Sequence, residues 1–253
     1  MSSELIVHRG ARHVTREELE QVHAPPPTET WFPLPHSHVL DRTLSTLEQA
    51  GFRPTKIQLG LSRNDAQFFG VVDLESPVAE GVTLAVGVRN SVNRTLPISF
   101  AAGERVMVCD NLAFRSEIVV ARKHTRFGAD RFAEAIAQAV GNLSQFQQAE
   151  GHRIERFRRA EIPDTTAESL ILRAYEREII SHYLLPRVLA DWRKPPHEAF
   201  ASRTLWSLEN AFTGVLAHVG KSNPQRFCSL TIALQGLLAE SAGASEPQLT
   251  LPA

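Results

Sequence analysis

Cys109, Asp110 and His124 are the side chains that could combine as a nucleophile, an orienting carboxylate and a base. A nucleophilic thiol needs a proton acceptor within hydrogen-bond reach and a third group to orient it. A small cysteine ending a strand, followed by an Asp110-Asn111 turn, accounts for the same letters. No catalytic residue is therefore assigned. The same stretch carries a different chemistry. Arg89, Asn90, Arg94, Arg115, Arg122, Lys123, His124 and Arg126 flank a polar turn and a basic exit. Local concentrations of Arg and Lys bind phosphate backbones even on a protein without net charge. These eight residues are the candidate nucleic-acid contacts.

The remaining polar groups point nowhere as specific. A second basic run, Arg153, Arg156, Arg158 and Arg159, is interleaved with Glu150, Glu155 and Glu161. That mixture reads as salt-bridged surface. Asp65, Asp73, Glu75 and Glu80 surround a hairpin signal and read as turn and edge residues. There are 10 histidines, two of them close together as His36-Ser37-His38. A zinc site needs three or four converging ligands, often including a short spaced pair. HExxH, paired CxxC, GxSxG, phosphate-loop and GxGxxG signatures are all absent from the sequence, so no metal or cofactor is expected. Trp206 and Asn210, one helical turn apart, read as packing plus a polar contact.

These residues need elements to hold them. Residues 1–38 read as an irregular arm, because Pro25-Pro26-Pro27 favours extended backbone. Trp31, Phe32 and Leu34 would pin that arm to the body. The first helix is expected over 39–50, with Ser37 as N-cap and Gly51 as stop. Alternation then predicts strands. Ile57, Leu59 and Leu61 lead through a Ser62-Arg63-Asn64-Asp65 turn to a return strand over 68–74. Val82, Leu84, Val86 and Val88 alternate strictly, and so do Leu96, Ile98 and Phe100. From Gly128 the period becomes helical. Phe132, Ile136, Val140, Leu143 and Phe146 share one face. Thr165 with Glu168 resembles a capping box ahead of a face formed by Leu170, Ile171, Tyr175, Ile179 and Tyr183. Two further helices follow, the second opening at Asn223-Pro224. The order predicts an α+β fold. A hairpin-rich antiparallel sheet with a preceding helix is followed by about four helices. The division expected is an arm over 1–38, one domain over 39–240 (strand-rich to 127, helical from 128) and a flexible tail over 241–253.

Bulk numbers agree with a folded chain. At 253 residues, 43% hydrophobic and 22% charged, it can bury a large core. Its 27 basic and 28 acidic residues leave a net charge of -1, so any anion-binding surface must come from uneven placement. Two cysteines are too few for a secreted disulfide scaffold, and no stretch has the length of a signal peptide's apolar core or a membrane span. A cytoplasmic location is expected.

Asn90-Ser91 after a hydrophobic strand, the strand pair before Cys109-Asp110-Asn111, the exit Arg122-Lys123-His124-Thr125 and the helix 206–213 (WSLENAFT) together resemble the phage/plasmid-like proteins of domain-of-unknown-function family 932. The resemblance covers roughly residues 52–238. It implies a role on mobile elements and carries no settled activity. The order of helix, hairpin-rich sheet and helix is also similar to single-strand annealing recombinases. That implies single-stranded DNA as partner and a homo-oligomer, by analogy of element order alone. The expected function is thus a non-enzymatic nucleic-acid-binding protein, with single-strand binding or annealing as its activity. A protein-interaction module acting on a host factor is the alternative. An enzyme with a site near Cys109 and His124 is the second.

Overall fold

The structure is a computed structural model describing residues 11–106, 111–222 and 224–243; the side chains of 111–122, 218–222 and 224–225 lie outside that description. The alternating stretches become six antiparallel strands. They are β1 (Arg12–Val14), β2 (Pro54–Leu61), β3 (Gln67–Ala79), β4 (Val82–Ser91), β5 (Ile98–Val106) and β6 (Asn111–Arg122). Their order in the sheet is their order in the chain. Register pairs Val82 with Val106, Leu84 with Glu104, Val86 with Ala102 and Val88 with Phe100. Side chains alternate between faces along a strand, so across these four pairs the shared face is apolar except at Glu104.

Helices cover that face. Leu19 of α1 (Arg16–Glu20), Leu40 and Leu47 of α2 (His36–Gln49), and Phe132 and Ile136 of α3 (Gly128–Gly141) pack on Leu59, Phe68, Val86 and Phe100. A second cluster begins at Val82 and Val106 and holds α4 (Leu143–Arg159), α5 (Asp164–Glu176), α6 (Leu185–Arg193), α7 (Leu205–Ser222) and α8 (Pro224–Ser241). Its largest fully buried members include Trp192, Phe157, Phe212 and Phe227. The fold is α+β, strands before helices, as the sequence predicts. Among the described residues six α-helices, α3 to α8, follow the sheet, where about four are expected. Asn142 separates α3 from α4, and Leu184-Leu185-Pro186 opens α6.

Several local expectations change. Pro35, not Ser37, is the N-cap of α2, and Ser37 lies in its first turn. Thr165 lies inside α5, whose N-cap is Pro163, so it makes no capping box. The capping box belongs to Thr15 and Glu18 of α1, within the stretch expected to be irregular. α5 ends at Glu176 and Glu178 takes a positive φ, so Tyr183 is off the helical face and 76% exposed. Asp73 is buried rather than an edge residue and accepts from Arg105 Nε at 2.6 Å. Asn223, the expected cap of α8, lies outside the described residues.

α4 touches the sheet at its backbone. Gln147 Nε2 donates to the Pro77 carbonyl at 2.6 Å, and a Cβ on Gly151 would lie 2.7 Å from the Val78 carbonyl oxygen. Neither backbone can yield cheaply. Gly151→Ala is expected to remove roughly 1–3 kcal/mol of stability, read as a lowered thermal midpoint.

Candidate nucleic-acid interface

Seven of the eight expected residues gather at one end of the sheet. Arg89 and Asn90 close β4, Arg94 sits in the β4–β5 turn, and Arg122 pairs with Ile98 where β5 begins. Lys123, His124 and Arg126 follow directly. Arg115 pairs with Ala102, farther along β6. The side chains of Arg115 and Arg122 lie outside the described residues, as do Cys109 and Asp110.

The seven do not play one role. Lys123, Arg94 and Arg126 are exposed and Arg89 is half-buried. Among the described residues none of these four has a carboxylate partner within ion-pair distance. Elsewhere Arg12, Arg16, Arg173, Arg177 and Arg193 all pair with carboxylates. Arg89 donates from Nε to Ser99 Oγ at 3.4 Å, and burial pulls its guanidinium below the usual arginine value. Asn90 and His124 are only 0% and 5% exposed. They are framework, not phosphate contacts.

That framework holds the arm. Asn90 Nδ2 donates to the Leu34 carbonyl at 2.8 Å and to His36 Nδ1 at 3.0 Å. His36 Nδ1 therefore accepts, and Nε2 carries the hydrogen donated to the Asp65 carbonyl at 3.1 Å. Phe32 N donates to the His124 carbonyl at 2.9 Å. The expected anchors Trp31, Phe32 and Leu34 thus sit where the cations gather. Burial pushes both His36 and His124 below the ordinary histidine value.

Two aromatic rings join the cations here. The Arg94 guanidinium stacks 4.8 Å from the Trp31 ring, and Arg131 lies 6.0 Å from Phe127, which is 56% exposed. Arg94 achieves this with φ +67. A non-glycine residue in the left-handed region carries strain of order 1–2 kcal/mol, which is characteristic of functional turns. The exit loop is equally constrained: a Cβ on Gly128 would meet the Lys123 carbonyl at 2.9 Å. Sequence reading passed over Phe127 because a single aromatic beside a helix start carries no periodic signal.

Two other charged constellations are buried. Arg153 of the second basic run is not surface: it is 5% exposed, and Glu150 is 2% exposed. Arg153 donates from Nε to Glu150 at 2.9 Å, from Nη2 to Glu104 at 2.8 Å and from Nη1 to both oxygens of Glu209 at 2.9 and 2.7 Å. Gln235 Nε2 adds a bond to Glu209 at 2.8 Å. One guanidinium thereby ties β5, α4, α7 and α8 together. On the opposite sheet face Arg105 spans from β5 to Asp73 on β3 and Gln58 on β2. A cavity of ≈ 190 Å³ is lined by Asp191, His197, Phe200, Ser207 and Asn210 among others. It includes none of the expected site residues. Among the described residues no cluster of His, Cys, Asp and Glu could hold a metal, and no helix is long and apolar enough to cross a membrane.

Residues 27–235 match the family described as Domain of unknown function (DUF932). No curated protein and no solved structure matches the chain.

Proposed function

The chain belongs to the family of the domain of unknown function DUF932, and from that premise we propose that the end of its sheet binds nucleic acid, single-stranded DNA foremost. The observation that carries this reading is the meeting of cations with aromatic rings. Arg94 stacks on Trp31 of the arm and Arg131 lies over the exposed Phe127, at the sheet end where Arg89, Lys123 and Arg126 also lie. Backbone charge neutralisation and base stacking are the two ingredients of single-strand binding. The resemblance to mobile-element proteins implies a role in DNA metabolism or element maintenance, with which this reading agrees. Annealing of complementary strands by a homo-oligomer is the stronger form of the same reading.

Fluorescence anisotropy of a labelled oligo-dT, titrated across salt, tests it. Each phosphate neutralised lowers the logarithmic salt slope by about 0.7. Four contacts give a slope near -3, roughly, and Lys123→Ala with Arg126→Ala would reduce it by about 1.4. Salt-independent binding, or no binding at low salt, would sink the proposal. Arg94→Gly separates function from folding. It relieves the positive φ and loses the ring contact, so the melting temperature should hold within a few degrees while oligonucleotide affinity falls.

A further inference from the structure

The arm over 28–35 meets the body through groups whose hydrogen bonds require one protonation state. Asn90 gives both amide hydrogens away, to Leu34 O and His36 Nδ1. His36 Nε2–H is used on Asp65 O. A proton added to His36 Nδ1 would face the Asn90 amide hydrogens with no lone pair between them. We propose that His36 and Asn90 form an acid-sensitive latch that keeps the arm, and with it Trp31, docked at the end of the sheet.

The surroundings give the direction. From α2 itself, His36 is wholly buried against the Phe68 ring of β3, 5.7 Å between centroids. From the segment after β6 comes His124, whose charge opposes that of His36. From the β2–β3 turn comes Asp65, which favours the charged form, but its carboxylate is already held by Arg12 at 3.1 Å. Arg94 stacks on Trp31 from the β4–β5 turn and adds positive charge. Burial is the largest influence and drives His36 down from the ordinary value of 6.5. His124 is driven the same way. The sign follows. A histidine whose docked value is depressed binds fewer protons docked than free. Docking is therefore complete above about pH 6.5 and is lost as pH falls through the lower docked value. Beside the latch the arm is held by the bond from Phe32 N to the His124 carbonyl, by Arg94 stacked on Trp31, and by Arg94 Nη2 donating to Thr28 Oγ1 at 3.3 Å.

The latch inverts an ordinary expectation, and here the inference rests on the nucleic-acid reading. Acid adds positive charge and normally tightens phosphate binding. Here acid should release Trp31 and weaken it, by roughly tenfold if one stacking contact goes.

Fluorine NMR of the full chain labelled with 5-fluorotryptophan tests the latch without nucleic acid. The chain has three tryptophans. Trp192 and Trp206 are 1% and 5% exposed in the helical cluster and report that the fold is intact. Between pH 8 and 5 the Trp31 resonance, assigned with Trp31→Phe, should move toward its solvent-exposed position while the other two stay. In His36→Gln, which cannot charge, this movement should be absent. A Trp31 resonance that stays put, or one that moves equally in His36→Gln, overturns the latch. Oligo-dT anisotropy on the same samples separates the two ideas. Movement of Trp31 with no binding at any pH retires the nucleic-acid reading and leaves the latch standing.

Discussion

Arg153→Ala is expected to remove about 3–5 kcal/mol of folding stability, because it strands buried carboxylates around an uncompensated site. Glu104, Glu150 and Glu209 are at most 3% exposed, and Arg153 bonds to all three. Burial alone would favour a neutral guanidinium, but the three glutamates together hold Arg153 firmly charged. The loss should appear as a large drop in the urea midpoint. Arg193→Ala supplies the contrast. Its pair with Glu168 has a side chain 59% exposed, and exposed pairs contribute roughly 0–1 kcal/mol. Equal effects from the two substitutions would mean that the buried cluster is hydrated and ordinary.

The second large effect concerns pH. Burial raises the Glu104 carboxyl well above its usual range, and repulsion from Glu150 adds to this, against the pull of Arg153. A folded value raised above the unfolded 4.5 means that the native chain binds the extra proton. The stability it contributes is full below about pH 4.5 and is lost as pH rises toward the folded value. The slope through that window is about 1.4 kcal/mol per pH unit. Glu104→Gln keeps an oxygen for Arg153 Nη2 and turns an N–H toward Glu150. The variant should match the parent near pH 4.5 and exceed it increasingly toward neutrality. Denaturant unfolding at several pH values checks this, and parallel curves for the two proteins would refute it.

Elements with a repeating signal were legible, and single events were not. Val82, Leu84, Val86 and Val88 alternate because one sheet face is buried, and β4 follows the alternation. The period fails at Glu104, which belongs to the apolar face by register yet carries a carboxyl group. Nothing near it in sequence announces its partner, because Arg153 lies on a helix formed much later. Within the run Glu150 to Arg159, which reads as salt-bridged surface, Arg158 does pair with the exposed Glu155 but Glu150 and Arg153 are buried, because local charge mixing does not distinguish a salt-bridged exterior from an interior cluster. The basic residues at the sheet end were legible as types. Their division into exposed cations and a buried Asn90–His124 framework was not, since it depends on an arm folding back across more than fifty residues, from Leu34 to Asn90.

The strict neighbour order of the strands bears on how the chain assembles. From β2 to β6 each strand pairs with the one just before it, so loop-closure entropy stays small there, whereas β1 reaches β2 across α1 and α2. On a ribosome the sheet can form before α4, α7 and α8 have emerged, and its apolar face would then lie open to other nascent chains. A carboxylate in water is costly to bury against an apolar partner. Glu104 would place a carboxylate on that open face until Arg153 arrives to pair with it, so the group that burdens the native state is expected to slow association of the unfinished sheet.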